Sequence, residues 1–362
     1  MRKPPVTKSA PETPAQRQIR LNTLLLQSAE KQDTAQVQAL LRAGASVKAR
    51  DVKGCTPLLR ALHGPPSTGD RMQDLKQELA LVSPNRVAPT IQLLLNAGSE
   101  VNATDNEGYS PLLLSMGSLS VSLCRELLKR KANPNLANKE GMTPLGMAAM
   151  TRSPVLIELL LSYGADPKRG SYPVLGLAAL GMPSSLFDED DEDITKLDPL
   201  KLLLRQTRNA EDDYSQAMAA MTMLLKAGAD PNGNAPDFST PLHVAAEYSG
   251  PPVLSYLLKA GSKVNTVSKS GETALHTAIL AGRWDNVRIL LDARADPNTV
   301  REEGGLSPLH SAVEMGSYAC VERLLTAGAH RDIHSRAGQT PLDLARARHM
   351  TALVGLLTPK SP

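Results

Sequence analysis

Ser268-Lys-Ser-Gly-Glu-Thr-Ala-Leu-His-Thr-Ala-Ile-Leu-Ala-Gly-Arg-Trp-Asp-Asn-Val-Arg-Ile-Leu-Leu-Asp-Ala-Arg-Ala-Asp-Pro-Asn-Thr-Val300 reads as two short helices and a turn-rich link. Gly271 stands where a turn tolerates positive φ. Thr273 can cap the first helix, its hydroxyl accepting from orphan N–H groups. Leu275, Ala278 and Ile279 recur at i, i+3, i+4, an inward stripe. Gly282 ends that helix. A second runs from about Asp285 to Ala293 and turns Val287, Leu290 and Leu291 inward. Trp284, at its start, reads as a packing residue. Asp296-Pro297-Asn298 closes the unit as an extended link.

The opening phrase of the first helix returns along the chain. It is Thr-Pro-Leu-Leu at Thr56, Ser-Pro-Leu-Leu at Ser110, Thr-Pro-Leu-Gly at Thr143 and Thr-Pro-Leu-His at Thr240. It comes again as Thr-Ala-Leu-His at Thr273, Ser-Pro-Leu-His at Ser307 and Thr-Pro-Leu-Asp at Thr340, with an eroded copy, Tyr-Pro-Val-Leu, at Tyr172. Pro after the cap sits at the first helical position, where its missing donor costs nothing. Four intervals are 33 or 34 residues. A period of that length means a stack of small units that bury a core only against one another. The functional question then becomes which face binds.

Composition agrees. Phe 2, Trp 1 and Tyr 7 supply too little aromatic volume for one large core. Thin layers can be filled by Leu and Ala. A formal charge of +3 is too small to argue for a nucleic-acid or membrane surface. The three cysteines, Cys55, Cys124 and Cys320, are odd in number and fall in different units, which speaks against a disulfide framework. No run of 18 apolar residues exists, so no transmembrane helix is expected. The basic, Pro-rich stretch 1–20 has no apolar core, so it does not read as a secretory signal. Pro4, Pro5, Pro11 and Pro14 argue against an amphipathic presequence. The expected location is the cytoplasm, with the nucleus second.

These features resemble the ankyrin repeat family, over about Leu21 to Leu357. Its units combine a Thr-Pro-Leu-His-x-Ala-Ala helix, a Leu-Leu helix and a Gly-Ala-Asp-Pro/Val-Asn tail, as in Gly228-Ala229-Asp230. Lys131 and Arg294 replace the tail glycine in two units. The resemblance implies an all-α ankyrin-repeat solenoid: paired antiparallel helices, β-turn fingers, about 8–9 units with the caps included, and two irregular insertions. It also implies that finger and first-helix residues form a concave face that holds other proteins. His243, His276 and His310, one unit apart, would bond backbone between neighbouring loops rather than bind metal or act in catalysis.

The organisation expected is a disordered basic tail 1–20, a repeat domain 21–357 and a short tail 358–362. Thr56 to Ser110 spans 54 residues, so an insertion at about 64–87 separates the two helices of one unit. Within it Met72, Leu75, Leu79 and Val82 are spaced like one helical face. Gly164 to Gly228 spans 64 residues, so a second insertion lies at about 183–213. It carries Asp188-Glu-Asp-Asp-Glu-Asp193, a run that repels itself and lacks the ligand alternation of a calcium loop. Asp198-Pro199-Leu200 opens a short helix through Leu204.

Motifs for catalysis are lacking: there is no Gly-rich phosphate loop, Gly-x-Ser-x-Gly or His-Glu-x-x-His. His330 and His334 have no cysteine near them, so no metal site is expected. The expected function is a non-enzymatic scaffold or adaptor, monomeric on its own, without cofactor, small-molecule substrate, nucleic acid or membrane. The alternative is a regulatory subunit of a larger complex, either a ubiquitin-ligase adaptor or a transcription regulator resembling inhibitors of NF-kappa-B. Candidate partner-binding residues are Asp237, Phe238, Glu247, Tyr248, Lys269, Glu272, Leu280, Glu303, Leu306, Glu314 and Met315. Glu100-Val101-Asn102 resembles the site of an asparaginyl hydroxylase, which makes Asn102 a candidate for hydroxylation. Thr13-Pro14, Ser83-Pro84, Thr358-Pro359 and Ser361-Pro362 fit proline-directed kinases.

Overall fold

A computed structural model describes residues 12–64, 87–117, 120–180, 210–237 and 239–358. Among these there are eighteen helices and no strand. The chain divides into two compact units, Met1–Glu140 and Gly141–Pro362.

The first unit holds three helix pairs: α1 (Pro14–Glu30) with α2 (Thr34–Arg42), α3 (Pro57–His63) with α4 (Pro89–Asn96), and α5 (Pro111–Gly117) with α6 (Val121–Lys129). Helices α1, α3 and α5 stack as an inner row. The pairing of α3 with α4 survives the residues between them, which lie outside the described parts along with Met72, Leu75, Leu79, Val82 and Ser83.

The second unit holds six pairs: α7 (Pro144–Met150) with α8 (Pro154–Ser162), α9 (Val174–Leu180) with α10 (Ala210–Lys226), α11 (Pro241–Tyr248) with α12 (Pro251–Lys259), α13 (Ala274–Leu280) with α14 (Trp284–Asp292), α15 (Pro308–Glu314) with α16 (Tyr318–Thr326), and α17 (Pro341–Ala347) with α18 (Thr351–Leu357). The first helices form an inner row and the second helices an outer row. Each first helix turns its apolar stripe into the stack: Leu242, Leu275 and Leu309 are essentially inaccessible, as are Ala245, Ala278 and Ala312. The small alanines let neighbouring inner helices approach closely, so the core is a series of thin layers. Among the described residues no helix is long and apolar enough to cross a membrane.

Two expected boundaries shift. Helix α1 starts at Pro14, not after residue 20, because Pro14 stands at a first helical position behind Thr13, whose hydroxyl accepts from Gln16 N–H in a capping box. Proline there starts a helix instead of breaking one. Helix α10 begins at Ala210, so the second insertion ends before residue 213. The acidic run Asp188–Asp193 and the helix expected at Asp198–Leu204 lie outside the described residues, as do residues 1–11 and 359–362.

The fingers lock unit to unit through the backbone. In the second unit Ser171 N–H donates to Gly141 O, Lys269 to Asp237 O, Glu302 to Ser270 O and Arg336 to Gly304 O, at 2.8–3.0 Å. The first unit repeats this, with Asn106 donating to Lys53 O and Lys139 to Glu107 O. The turns at Gly54, Gly108, Gly141, Gly271 and Gly304 hold positive φ. At Gly271 φ is +76°, and a Cβ there would meet the Glu302 nitrogen at 2.8 Å; Gly338, at the equivalent position with φ +72°, has open space. Both Gly→Ala variants carry the φ strain, but only Gly271→Ala forces the finger junction apart. Gly271→Ala should therefore destabilise the protein by about 1–3 kcal/mol more than Gly338→Ala. Urea midpoints for the two variants check this, and equal losses would contradict it.

Candidate functional site

The inner helices and fingers of the second unit form the face on which the candidate partner residues fall. Asp237, Tyr248, Lys269, Glu303 and Met315 are exposed; Glu247, Glu272, Leu280, Leu306 and Glu314 are half-buried. Phe238 lies outside the described residues. Several acidic candidates are engaged within the molecule. Arg301 pairs with Glu272 at 3.4 Å and with Glu314 at 3.7 Å, and Arg348 pairs with Glu314 at 3.6 Å. Arg283 donates to the Glu247 carbonyl at 3.0 Å. The carboxylates at 272 and 314 thus hold the array together, while the neighbouring apolar side chains remain open.

Those apolar side chains form two features. A cleft of about 480 Å³ lies between the Tyr172 and Thr240 units, lined by Tyr172, Gly176, Leu177, Leu180, Val244 and Tyr248. Gly176 adds no side chain to the floor, and α7 likewise has a glycine, Gly146, at the same helical position. At the edge where each inner helix turns into its outer partner, Tyr248, Trp284, Met315 and Tyr318 are 41–55% exposed. Trp284 departs from the packing role its position suggests: it opens α14 toward solvent.

The repeated histidines serve the fold. Thr240 N–H donates to His243 Nδ1 at 3.1 Å, and His243 Nε2 lies 2.9 Å from Glu272 O. His310 does the same with Ser307 N–H and Gln339 O. Nδ1 must accept and Nε2–H must donate, so the neutral ring fits and the imidazolium does not. Thr273 N–H likewise donates to His276 Nδ1, and the buried His276 Nε2 faces the Leu306 backbone without a formed bond. Burial, with Arg301 adding to it, pushes His276 down to about 4. His243 and His310 are also lowered by burial.

The tail asparagines clamp adjacent units. Asn102 Nδ2 donates to Lys131 O at 3.1 Å and its Oδ1 accepts from Asn133 N–H at 2.7 Å. Asn232 and Asn298 make the same bridge in the second unit.

Within the first unit, Cys55, His63 and Asp105 come together, a cluster that no sequence motif announced. The Cys55 thiol, an imidazole nitrogen and a carboxylate oxygen lie within 4.8 Å of one another. His63 Nε2 is 3.6 Å from Asp105 Oδ2. The other oxygen of Asp105 accepts from Glu107 and Tyr109 N–H, which fixes the carboxylate. Beside it Asp51 accepts from Cys55 N–H and pairs with Arg60, which also pairs with Glu30 at 2.8 Å. Burial, then the Asp51 charge, pushes the Cys55 thiol up. The signal was present only in register: His63 falls seven residues after Thr56, and Asp105 five before Ser110, so neighbouring units aim them at one another.

A stack of paired helices joined by hydrogen-bonded fingers defines a helical repeat protein whose exposed face varies from unit to unit. A family model of ankyrin repeats in three copies matches residues 79–170 and 210–301, and another of many copies matches 278–325. Together these exceed half of the chain, which belongs to the ankyrin repeat family. A putative ankyrin repeat protein of fowlpox virus is 33% identical over 90 residues, 24% of this chain and 26% of the relative. A putative palmitoyltransferase of Danio rerio is 26% identical over 239 residues, 65% of this chain and 32% of the relative. An E3 ubiquitin-protein ligase of Arabidopsis thaliana is 26% identical over 316 residues, 85% of this chain and 15% of the relative. The chain spans about a third or less of the length of each of these relatives. Ankyrin repeats generally mediate protein–protein interaction, and the family is typically non-catalytic.

Proposed function

We propose that this chain is a non-enzymatic scaffold that holds a segment of a partner protein along the inner face of its second unit. The observation that carries this reading is the row of exposed Tyr248, Trp284, Met315 and Tyr318 beside the apolar cleft at Tyr172 and Val244. Aromatic and Met side chains that stay in water in the monomer gain most when a partner dries them, and binding energy concentrates on such anchors. The engaged acidic residues set the second half of the argument. Glu272 and Glu314 stay paired with Arg301 and Arg348, so the partner is selected first by shape and apolar contact and then by the charges of Asp237, Lys269 and Glu303 at the finger tips. The compartment we propose is the cytoplasm, with the nucleus second.

Peptides selected from a displayed library against the whole chain test this. Tyr248→Ala combined with Trp284→Ala is expected to weaken the selected peptides by about 30-fold or more, on the order of 2 kcal/mol. Arg288→Ala, an exposed change on an outer helix, should leave them unaffected. Loss of binding with the outer-helix change, or none with the rim changes, would place the binding face elsewhere.

A further inference from the structure

The Cys55, His63 and Asp105 cluster sits in the wall of a cleft of about 640 Å³, also lined by Glu30, Lys53, Arg60, Glu107 and Tyr109. A thiol, an imidazole and a carboxylate form the mixed sulfur–nitrogen–oxygen set that suits zinc, whose ligands stand about 2.0–2.3 Å from the ion. Tetrahedral ligands at those lengths lie roughly 3.3–3.6 Å from one another. The 3.6 Å between His63 Nε2 and Asp105 Oδ2 already matches, and the Cys55 sulfur lies within 4.8 Å of both. The remaining closure is a side-chain adjustment. His63 ends helix α3 and is partly exposed, so its ring can move, whereas Cys55 and Asp105 are held by the fold.

The surrounding charge favours a cation. Glu30, Asp51, Asp105 and Glu107 face Arg60 and Lys53, four carboxylates against two cations. Arg60 is committed to Asp51 and Glu30, so its charge is neutralised where it stands. Asp51 also anchors the Cys55 backbone, which keeps the sulfur at the cleft wall. The two halves of the cluster come from successive repeats: Cys55 and His63 flank α3, and Asp105 belongs to the next finger. An ion there would tie the two repeats together at the unit whose helix pair is interrupted in sequence.

We propose that Cys55, His63 and Asp105 form a divalent transition-metal site, with zinc as its ion and the fourth position open to the cleft. On binding, the Cys55 S–H bond is replaced by a sulfur–zinc bond and its proton passes to solvent. The site is independent of the partner-binding face of the second unit.

Titration of the whole chain with Co²⁺ as a spectroscopic probe, and with Zn²⁺ in competition, tests this. One Co²⁺ should bind with a thiolate charge-transfer band, which Zn²⁺ displaces and which Cys55→Ser abolishes. Asp105→Asn keeps the two backbone hydrogen bonds of that side chain but not its charge. It and His63→Gln should each weaken the metal by about 100-fold or more, since loss even of an outer partner costs 10–100-fold. Cys124→Ser is the thiol control and should leave the band intact. Far-ultraviolet circular dichroism confirms that each variant is folded. Absence of the band, its survival in Cys55→Ser, or unchanged affinity in both His63→Gln and Asp105→Asn would overturn the assignment.

Discussion

Acidification from pH 7 to pH 4 is expected to remove on the order of 3 kcal/mol of stability through His276 alone. The ring titrates near 6.5 when unfolded and is pushed down to about 4 in the fold. The folded state therefore binds fewer protons than the unfolded state in this window. The stability is fully present above pH 6.5 and is lost progressively as the pH falls to about 4. His243 and His310 are lowered in the same direction and add to the loss. The first cause is burial, which disfavours the charged ring. The geometry agrees with it, since Nδ1 of each ring accepts from the backbone N–H of Thr240, Thr273 or Ser307, and a proton on Nδ1 breaks that bond. Lowered carboxylates such as Asp51 act further down, below their ordinary value of 3.8. His276→Gln separates the two regimes, because Gln at this position can complete the same capping box without titrating. That variant should lose little at pH 7 and show a flatter decline between pH 6.5 and 4. Urea unfolding at a series of pH values measures it; an unchanged slope in His276→Gln would show that the acid sensitivity lies elsewhere.

The same histidines show what was legible in the amino-acid sequence. Thr240, Thr273 and Ser307, followed three residues later by His, marked the helix starts because capping chemistry is local. The inner stripe of Leu275, Ala278 and Ile279 was equally plain, since its period belongs to the helix. Local sequence misleads where one residue type has two meanings. Pro14 looked like a breaker and starts α1. Lys131 and Arg294 hold the tail glycine's place with φ of 66° and 65°, a conformation that Gly adopts without cost and that these residues adopt because Leu127 and Leu290 carbonyls accept the next N–H. Trp284 reads as a packing residue, yet it stands at the exposed start of α14. Ion pairs such as Arg301 with Glu314, and the meeting of Cys55, His63 and Asp105, depend on side-chain direction between units. Spacing within one unit carries no signal for them. Two of the charged candidates, Glu272 and Glu314, are therefore engaged within the fold, which spacing within one unit does not reveal.

Replacing Arg152 by Ala should cost about 3 kcal/mol, a large effect for a residue outside the helices. Its guanidinium is buried, with Nε donating to Ala178 O at 2.9 Å and Nη2 to Ala179 O at 2.8 Å. These carbonyls close α9, the helix of the eroded Tyr-Pro-Val-Leu unit, which has neither a Thr cap nor a repeat histidine. Ser249 Oγ donates to the same Ala179 carbonyl at 2.7 Å, so side chains from the preceding and following units both complete the end of α9. The side chain thus supplies from a neighbouring repeat what α9 lacks in its own sequence. The backbone gives an internal control. Arg152 sits at φ +52°, and the corresponding positions in later units are Gly282 and Gly316. Arg152→Gly relieves that strain, worth about 1 kcal/mol, while deleting the same hydrogen bonds. It should lie between wild type and Arg152→Ala, still about 2 kcal/mol below wild type. Urea denaturation ranks the three proteins, and hydrogen exchange locates the change: the amides of α9 should lose protection before those of α13 and α15. A Gly variant as stable as wild type would mean that the position matters only for its backbone, and that the α9 carbonyls are satisfied without the guanidinium.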